Sequence, residues 1–251
     1  MRKLHLLAAG LTLVAAALAQ AATINVAVAA NLQYTFDDLA KAYKAETGQD
    51  VVPSYGASGK FFAQIRNGAP FHVFLSADAD YPKKLDADKQ TLEPSKVYAY
   101  GALVLWTLKD LDLNQWEKLV REPGIERIAV ANPETAPYGR AAVQALQHFK
   151  LADATRHKLV FGESIGQTNQ FIATRAADLG FTAKSVVISN EMQGKGTWLE
   201  IPASAYEPIA QRAALLKYSN DHDTADAKRF YQFLFSPKAQ DIFKQAGYKL
   251  P

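Results

Sequence analysis

Thr23-Ile24-Asn25-Val26-Ala27-Val28-Ala29-Ala30, followed by Asn31 and then by Phe36, Leu39 and Tyr43 at helical spacing up to Gly48, decides the fold class. It reads as a strand, a tight loop and a helix. The unit then recurs: Val51 to Tyr55 is extended, Gly56 to Gly59 is a turn, and Lys60 to Asn67 carries Phe61, Phe62 and Ile65 before Gly68 stops the helix. His72 to Ser76 is a third strand, and Ser76 to Ala79 leads into a short helix.

Val97 to Thr107 predicts one long buried strand that could cross from one lobe to another, and Ile209 to Lys217 predicts a second crossing segment. Between them the same grammar resumes. Ile128 to Ala131 is a strand, Asn132 to Pro137 a loop, and Tyr138 to Phe149 a helix with Pro137 at its first turn. Leu159 to Phe161 is a short strand, after which Ser164 and Gln167 fit a capping box for a helix running to about Ala176. Leu179 to Thr182 and Thr197 to Ile201 are further strands, and helices over Ala225 to Phe235 and Pro237 to Ala246 close the chain, with Gly247 as a stop. Strands alternating with helices imply an α/β protein with mainly parallel sheets and helices on both faces. A chain of 251 residues suits two lobes, since domains run about 100–200 residues each. The expected division is 22–103 with 217–251 in the first lobe and 104–216 in the second.

Residues 1–21 stand apart. Arg2 and Lys3 make a short basic start, Leu4 to Leu18 is rich in Leu, Ala and Val, and Ala19-Gln20-Ala21 has the pattern of a cleavage site. A membrane anchor is the competing reading, but the apolar run is short and Ala-rich, and no second hydrophobic span follows. A signal peptide is expected, with a mature chain free in the periplasm. The absence of cysteine removes a disulfide framework, a thiolate metal site and an acylated cysteine after the signal. Without Arg2 and Lys3 the 28 basic residues fall to 26 against 25 acidic ones, and no run of like charge makes a stripe for nucleic acid or lipid.

Four strand-to-helix junctions put small or hydrogen-bonding residues at a helix start: Ala30-Asn31, Ala57-Ser58-Gly59, Pro137-Tyr138 and Ser164-Ile165. Free backbone N–H groups and the helix dipole suit such ends to anions, with no lysine or arginine required. In open α/β sheets ligands also lodge at the C-terminal ends of the strands. Each junction has a plainer reading: Asn31, Ser58 and Ser164 are ordinary N-cap residues, and Tyr138 could close the core or pack on Pro137.

Other chemistries fit less well. Gly56 to Lys60 resembles a P-loop only faintly, since Ser54 stands where the first glycine belongs and Phe61 where a Ser or Thr would hold magnesium. Ser58 lacks the second glycine of a nucleophile elbow, because Lys60 occupies that place. The five histidines, His5, His72, His148, His157 and His222, show no metal-ligand spacing; His222, between Asp221 and Asp223, suits a solvated turn. A hydrolase using Ser58 with Lys60 would need side chains two apart on one helix turn to face each other, which they do not.

Taken together, these residues resemble the periplasmic molybdate-binding proteins of ABC transporters over essentially the whole chain after residue 21. The marks are Val28 to Asn31, Ser54 to Ser58, Gln64 to Pro70, Val73 to Asp78, Leu103 to Leu105, Ala131 to Glu134 with Pro137, and Phe243 with Gly247 and Tyr248. The segment from Asn67-Gly68-Ala69-Pro70 to Ser76-Ala77-Asp78 is the most specific. The resemblance implies a class II-type periplasmic binding protein fold with a two-stranded hinge. It also implies anion contacts from Asn31 and Ser58, with Ala30 beside them, and from Tyr138 and the backbone N–H of Ile165. Many relatives carry an anion-binding tyrosine where this chain has Ala183. Asn31 with Tyr138 instead resembles a subgroup binding both molybdate and tungstate, in which the tyrosine comes from the earlier loop.

A dianion without protons needs donors only, whereas hydrogenphosphate carries a proton that calls for a buried acceptor. None of the proposed contacts is a carboxylate. Molybdate and tungstate are alike in size and charge, so both are expected ligands, with no other cofactor, no enzymatic activity, a monomeric state and an inner-membrane ABC permease as partner. Sulfate is the alternative, to be discriminated by cavity size. An organic anion or metal chelate would call for an arginine clamp or apolar lining, and Arg66 and Arg140 are the nearest candidates.

Overall fold

The computed structural model describes residues 23–251 apart from 221 and 223, so the signal-peptide reading of 1–21 and the two acidic neighbours of His222 lie outside the described residues. The chain runs β1 (Ile24–Ala29), a single 3-10 turn (Ala30–Leu32), α1 (Gln33–Thr47), β2 (Val51–Gly56), α2 (Ser58–Arg66), β3 (Val73–Leu75), α3 (Asp80–Ala87), β4 (Lys96–Gly101) and β5 (Leu103–Thr107). It continues through α4 (Trp116–Leu119), β6 (Ile128–Ala131), α5 (Pro137–His148), α6 (Ala152–Thr155), β7 (Leu159–Gly162), α7 (Ile165–Ala173) and β8 (Leu179–Ala183). Then come α8 (Lys184–Val187), β9 (Thr197–Glu200), β10 (Ile209–Leu215), α9 (Thr224–Phe233) and α10 (Pro237–Gln245).

Two five-stranded sheets result, ordered β2-β1-β3-β10-β4 and β7-β6-β8-β5-β9. The orders coincide once β1, β2 and β3 are matched with β6, β7 and β8. In each sheet the second strand, β1 or β6, pairs in parallel with both neighbours. The fourth strand, β10 or β5, is antiparallel to both of its neighbours. That opposed strand is the one the chain delivers on arriving from the other sheet.

Successive side chains of the first sheet serve two cores. Val26, Val28, Val73 and Leu75 pack with Phe36, Leu39, Tyr43, Phe230 and Phe243 of α1, α9 and α10. Ala27, Phe74 and Ala214 point the other way, onto Phe61, Ile65 and Leu85 of α2 and α3. A strand apolar in both phases is what a sheet covered on both faces requires. α1 stops where Gly48 turns to φ 75° and returns its N–H to the Lys44 carbonyl at 2.8 Å, a left-handed cap that glycine adopts at little cost. The second sheet builds its core from Trp106, Trp116, Phe181, Leu146 and their neighbours.

The crossings differ from expectation. Val97 to Thr107 is two strands, because β4 pairs with β10 in the first sheet while β5 pairs with β8 and β9 in the second. Ala102 lies between them, its carbonyl accepting the Lys184 N–H at 2.9 Å. The expected crossing at Ile209 to Lys217 also lies elsewhere, since β10 is a full member of the first sheet and the chain returns between residues 201 and 208. Leu103 thus opens a strand of the second sheet, and 209–215 form a strand of the first. α2 begins at Ser58 rather than Lys60, and α7 ends at Ala173, two residues before Arg175 turns to φ 59°.

Candidate functional site

A small, narrow recess lies where helix starts from the two lobes meet. The first lobe lines it with Ala29, Ala30 and Asn31 after β1, Gly56, Ala57 and Ser58 before α2, and Ala77 after β3. The second contributes Ala136, Pro137 and Tyr138 at the start of α5 and Ile165 at the start of α7. All five residues singled out from the sequence, Ala30, Asn31, Ser58, Tyr138 and Ile165, thus line this recess. No residue with a formal charge lines it.

The first turns of α2, α5 and α7 carry N–H groups that no carbonyl of the same helix can reach. At α5 the first helical residue is Pro137, which has no N–H to leave unpaired. At α7 Ser164 is the N-cap, its hydroxyl accepting the Gln167 N–H at 3.5 Å, and Ile165 opens the helix toward the recess. The capping box forms in altered register, because Gln167 Oε1 accepts from the Glu163 N–H at 2.6 Å rather than from that of Ser164. A small anion set among these helix ends would meet donors and favourable dipoles, each dipole worth about 0.3–1 kcal/mol near a surface and more when buried.

Two hydroxyls line the recess, and each already accepts one hydrogen bond from the protein. Ser58 Oγ, in a residue 1% exposed, accepts the Ala77 N–H at 3.0 Å. Tyr138 OH, likewise 1% exposed, accepts from Gln211 Nε2 at 3.1 Å. Among the described residues neither hydroxyl has an acceptor for its own proton, so each is left as a donor. Burial pushes the Tyr138 phenol well above its ordinary range, with the neighbouring Tyr248 and Tyr206 adding to the shift, so that proton stays in place at neutral pH. Gly101 makes room for the phenol: a Cβ there would lie 2.1 Å from Tyr138 OH.

The plainer readings of these positions change accordingly. Ser58 is the first helical residue with Ala57 as N-cap, and it makes no capping bond. Asn31 sits inside the 3-10 turn, while Leu32 occupies the N-cap of α1. Its amide donates to Gln211 Oε1 and Tyr248 OH, both at 3.0 Å, which occupies both amide protons. Asn31 therefore has no amide proton left over, and its side chain ties the turn after β1 to β10 and the C-terminal segment of the same lobe. Ala183, fully buried at the end of β8, is not part of the lining.

Around the recess the lobes are clasped. Gly59 N–H donates to the Thr135 carbonyl at 2.9 Å and Tyr81 OH to the Glu134 carbonyl at 3.1 Å. Asp78 pairs with Arg140, and Lys60 pairs with Glu163. Burial raises the Asp78 carboxyl and the Arg140 charge opposes that shift. Neither arginine considered as a clamp lines the recess: Arg140 is held by Asp78, and Arg66 reaches Asp88 at 3.1 Å. Lys60, turned to Glu163, is not a base for Ser58.

The sequence reading missed Gln211, Tyr98, Tyr248 and Ser185, a buried network behind Tyr138 and Asn31. One signal was present. Gln211 lies in the buried phase of Ile209-Ala210-Gln211-Arg212-Ala213, where alternation calls for an apolar residue.

Two α/β lobes joined by two crossings, closing on a small uncharged recess of helix starts, define a two-lobed solute-binding protein. Residues 24–249 match the bacterial extracellular solute-binding protein family, and the chain belongs to that family. The molybdate-binding protein ModA of Azotobacter vinelandii is 42% identical over 233 residues, covering 92% of each chain. Its namesake from Rhodobacter capsulatus is 38% identical over 231 residues, covering 92% of this chain and 89% of the other. The solved periplasmic molybdate-binding protein of A. vinelandii superposes with a TM-score of 0.86 at 39% identity, covering 91% of this chain and 99% of that one. The likeness to relatives named as binding proteins spans both lobes.

Proposed function

We propose that this protein captures molybdate, and tungstate with it, in the periplasm and delivers the anion to an inner-membrane ABC permease. The observation that carries the reading is the polarity of the recess. Two buried hydroxyls are held as donors, helix-start N–H groups surround them, and no carboxylate or cation lines the wall. Such a wall suits a small anion that carries no proton. Ser58 Oγ, Tyr138 OH and the N–H groups of Asn31 and Ile165 are the proposed contacts, with Ala30 packed beside them. The likeness to relatives named for molybdate selects among dianions.

In this account the lobes are 23–101 with 209–251 and 103–200, hinged at the two crossings, and the protein works as a monomer. Closure by hinge motion buries the anion and presents one closed surface to the permease. Residues 1–21 direct export. Calorimetric titration of the mature protein with molybdate, tungstate, sulfate and phosphate tests the reading. Molybdate and tungstate should bind tightly and comparably, and hydrogenphosphate should not compete. Tight sulfate binding without a molybdate response would move the assignment to sulfate.

A further inference from the structure

Gln211 lies on β10 of the first lobe, bonded across to Tyr138 of the second, and it is fully buried. The ladder between β10 and β4 slips at this point: Gln211 is opposite Ala99 and Arg212 opposite Val97, which leaves Tyr98 as the extra residue of a bulge. Bulges re-aim side chains. Here Tyr98 OH, 2.9 Å from Gln211 Oε1 and 3.1 Å from the Ser76 carbonyl, shares its one proton between them, and Asn31 Nδ2 donates to the same Gln211 oxygen at 3.0 Å. With its oxygen held by Asn31 and Tyr98, Gln211 turns its amide nitrogen to Tyr138 OH at 3.1 Å. We infer that Gln211 is a positioning residue that sets the polarity of the site: by donating to Tyr138 it forces the phenol proton toward the ligand, and so selects oxyanions that carry no proton.

The inference rests on the proposed anion site and goes beyond it, because the amide could serve the fold equally well in the opposite sense. A reversed network, with Gln211 accepting from Tyr138, would turn the phenol's lone pairs toward the recess and repel an anion. A glutamate at 211 separates the two. When ionised it can only accept, so it takes the Tyr138 proton and places a negative charge beside the anion; when protonated it can again donate. The titratable groups facing this position are Tyr98 from β4, Tyr138 from α5 and Tyr248 from the C-terminal segment, all phenols pushed upward by burial. Asp78 lies beyond Tyr98 and is paired with Arg140.

The test measures molybdate affinity of the parent, Gln211→Glu, Gln211→Met, Tyr138→Phe and the Gln211→Met/Tyr138→Phe double variant. Measurements run from about pH 6.5 to 9, the range in which a buried glutamate can titrate. The parent should be flat. Gln211→Glu should lose at least tenfold as pH rises through the new carboxyl's pKa, a dependence that a merely structural defect would not create. Gln211→Met should weaken the parent at least tenfold and add less than twofold once Tyr138 is phenylalanine. A flat profile for a folded Gln211→Glu overturns the inference. If that variant does not fold, additive losses from Gln211→Met and Tyr138→Phe overturn it by themselves. A parent that binds neither molybdate nor tungstate removes the functional reading itself, which is a separate and recognisable result.

Discussion

Tyr138 both presents a proton to the recess and accepts one from Gln211, so its substitution by phenylalanine acts twice. Losing a donor to a charged acceptor should weaken molybdate binding by about 1.5–3 kcal/mol, roughly tenfold to a hundredfold. The unpaired Gln211 nitrogen should also cost about 1–3 kcal/mol of folding stability. Ser58→Ala should behave similarly, because it removes a donor and strands the Ala77 N–H. Affinity and unfolding measured together on both variants check this; lost stability with unchanged affinity would make the hydroxyls mere supports. The pH dependence follows from the phenol. A raised Tyr138 pKa means the donating form persists at all lower pH and is lost only as pH rises through that raised value. Affinity of the parent should therefore vary little between about pH 6 and 9, below the ordinary phenol value of about 10, and a steep loss there would place another ionisable group in the site. At this scale the sequence was informative about helix starts: the residues after β1, before α2 and around Pro137 gather at one recess. It was silent on Gln211, whose partners in its own lobe lie 113 and 180 positions away and become neighbours only when the first sheet assembles.

At the scale of elements, the site depends on how tightly α5 seats on β6. A Cβ at Gly139 would lie 2.1 Å from the Ala131 carbonyl oxygen, so the first turn of α5 can approach the strand end only with glycine there. Gly139→Ala should push the helix start outward, costing about 1–3 kcal/mol of stability as overpacking does. It should also displace Tyr138 and lower affinity at least as far as Tyr138→Phe does. A denaturant melt and a molybdate titration of the one variant give both numbers, and an unchanged affinity would mean that the seat of α5 does not position the site. The strand and helix order was legible because periodicity and breakers are local: β6 falls where Ile128 to Ala131 predicts it, and α5 starts at Pro137. The break at Ala102 was not legible. Ala102 to Trp106 is apolar whether the chain stays in one sheet or changes to another, and the decision belongs to partner strands β8, β9 and β10.

For the whole molecule, closure rests on cross-lobe contacts of unequal weight. Asp78 is largely buried and paired with Arg140, whereas Lys60 and Glu163 are both well exposed. An exposed pair is worth about 0–1 kcal/mol and is screened by salt within about 8 Å at physiological ionic strength. Lys60→Ala should therefore leave affinity within about twofold at that ionic strength. Arg140→Ala, which strands the Asp78 carboxylate beside the cleft, should weaken binding roughly fivefold or more, chiefly through faster ligand release. Stopped-flow dissociation on the two variants distinguishes them, and equal effects would deny the Asp78–Arg140 pair a role in holding the lobes closed.

The central claim is that a proton-free oxyanion sits in the recess between the lobes, held by donors alone. Tungstate makes it directly visible, because tungsten scatters anomalously. Crystals of the mature protein grown with tungstate should show one anomalous peak within hydrogen-bonding reach, through its oxygens, of Ser58 Oγ, Tyr138 OH and the N–H groups of Asn31 and Ile165. A peak elsewhere on the molecule, or none in the recess at saturating tungstate, would contradict the account.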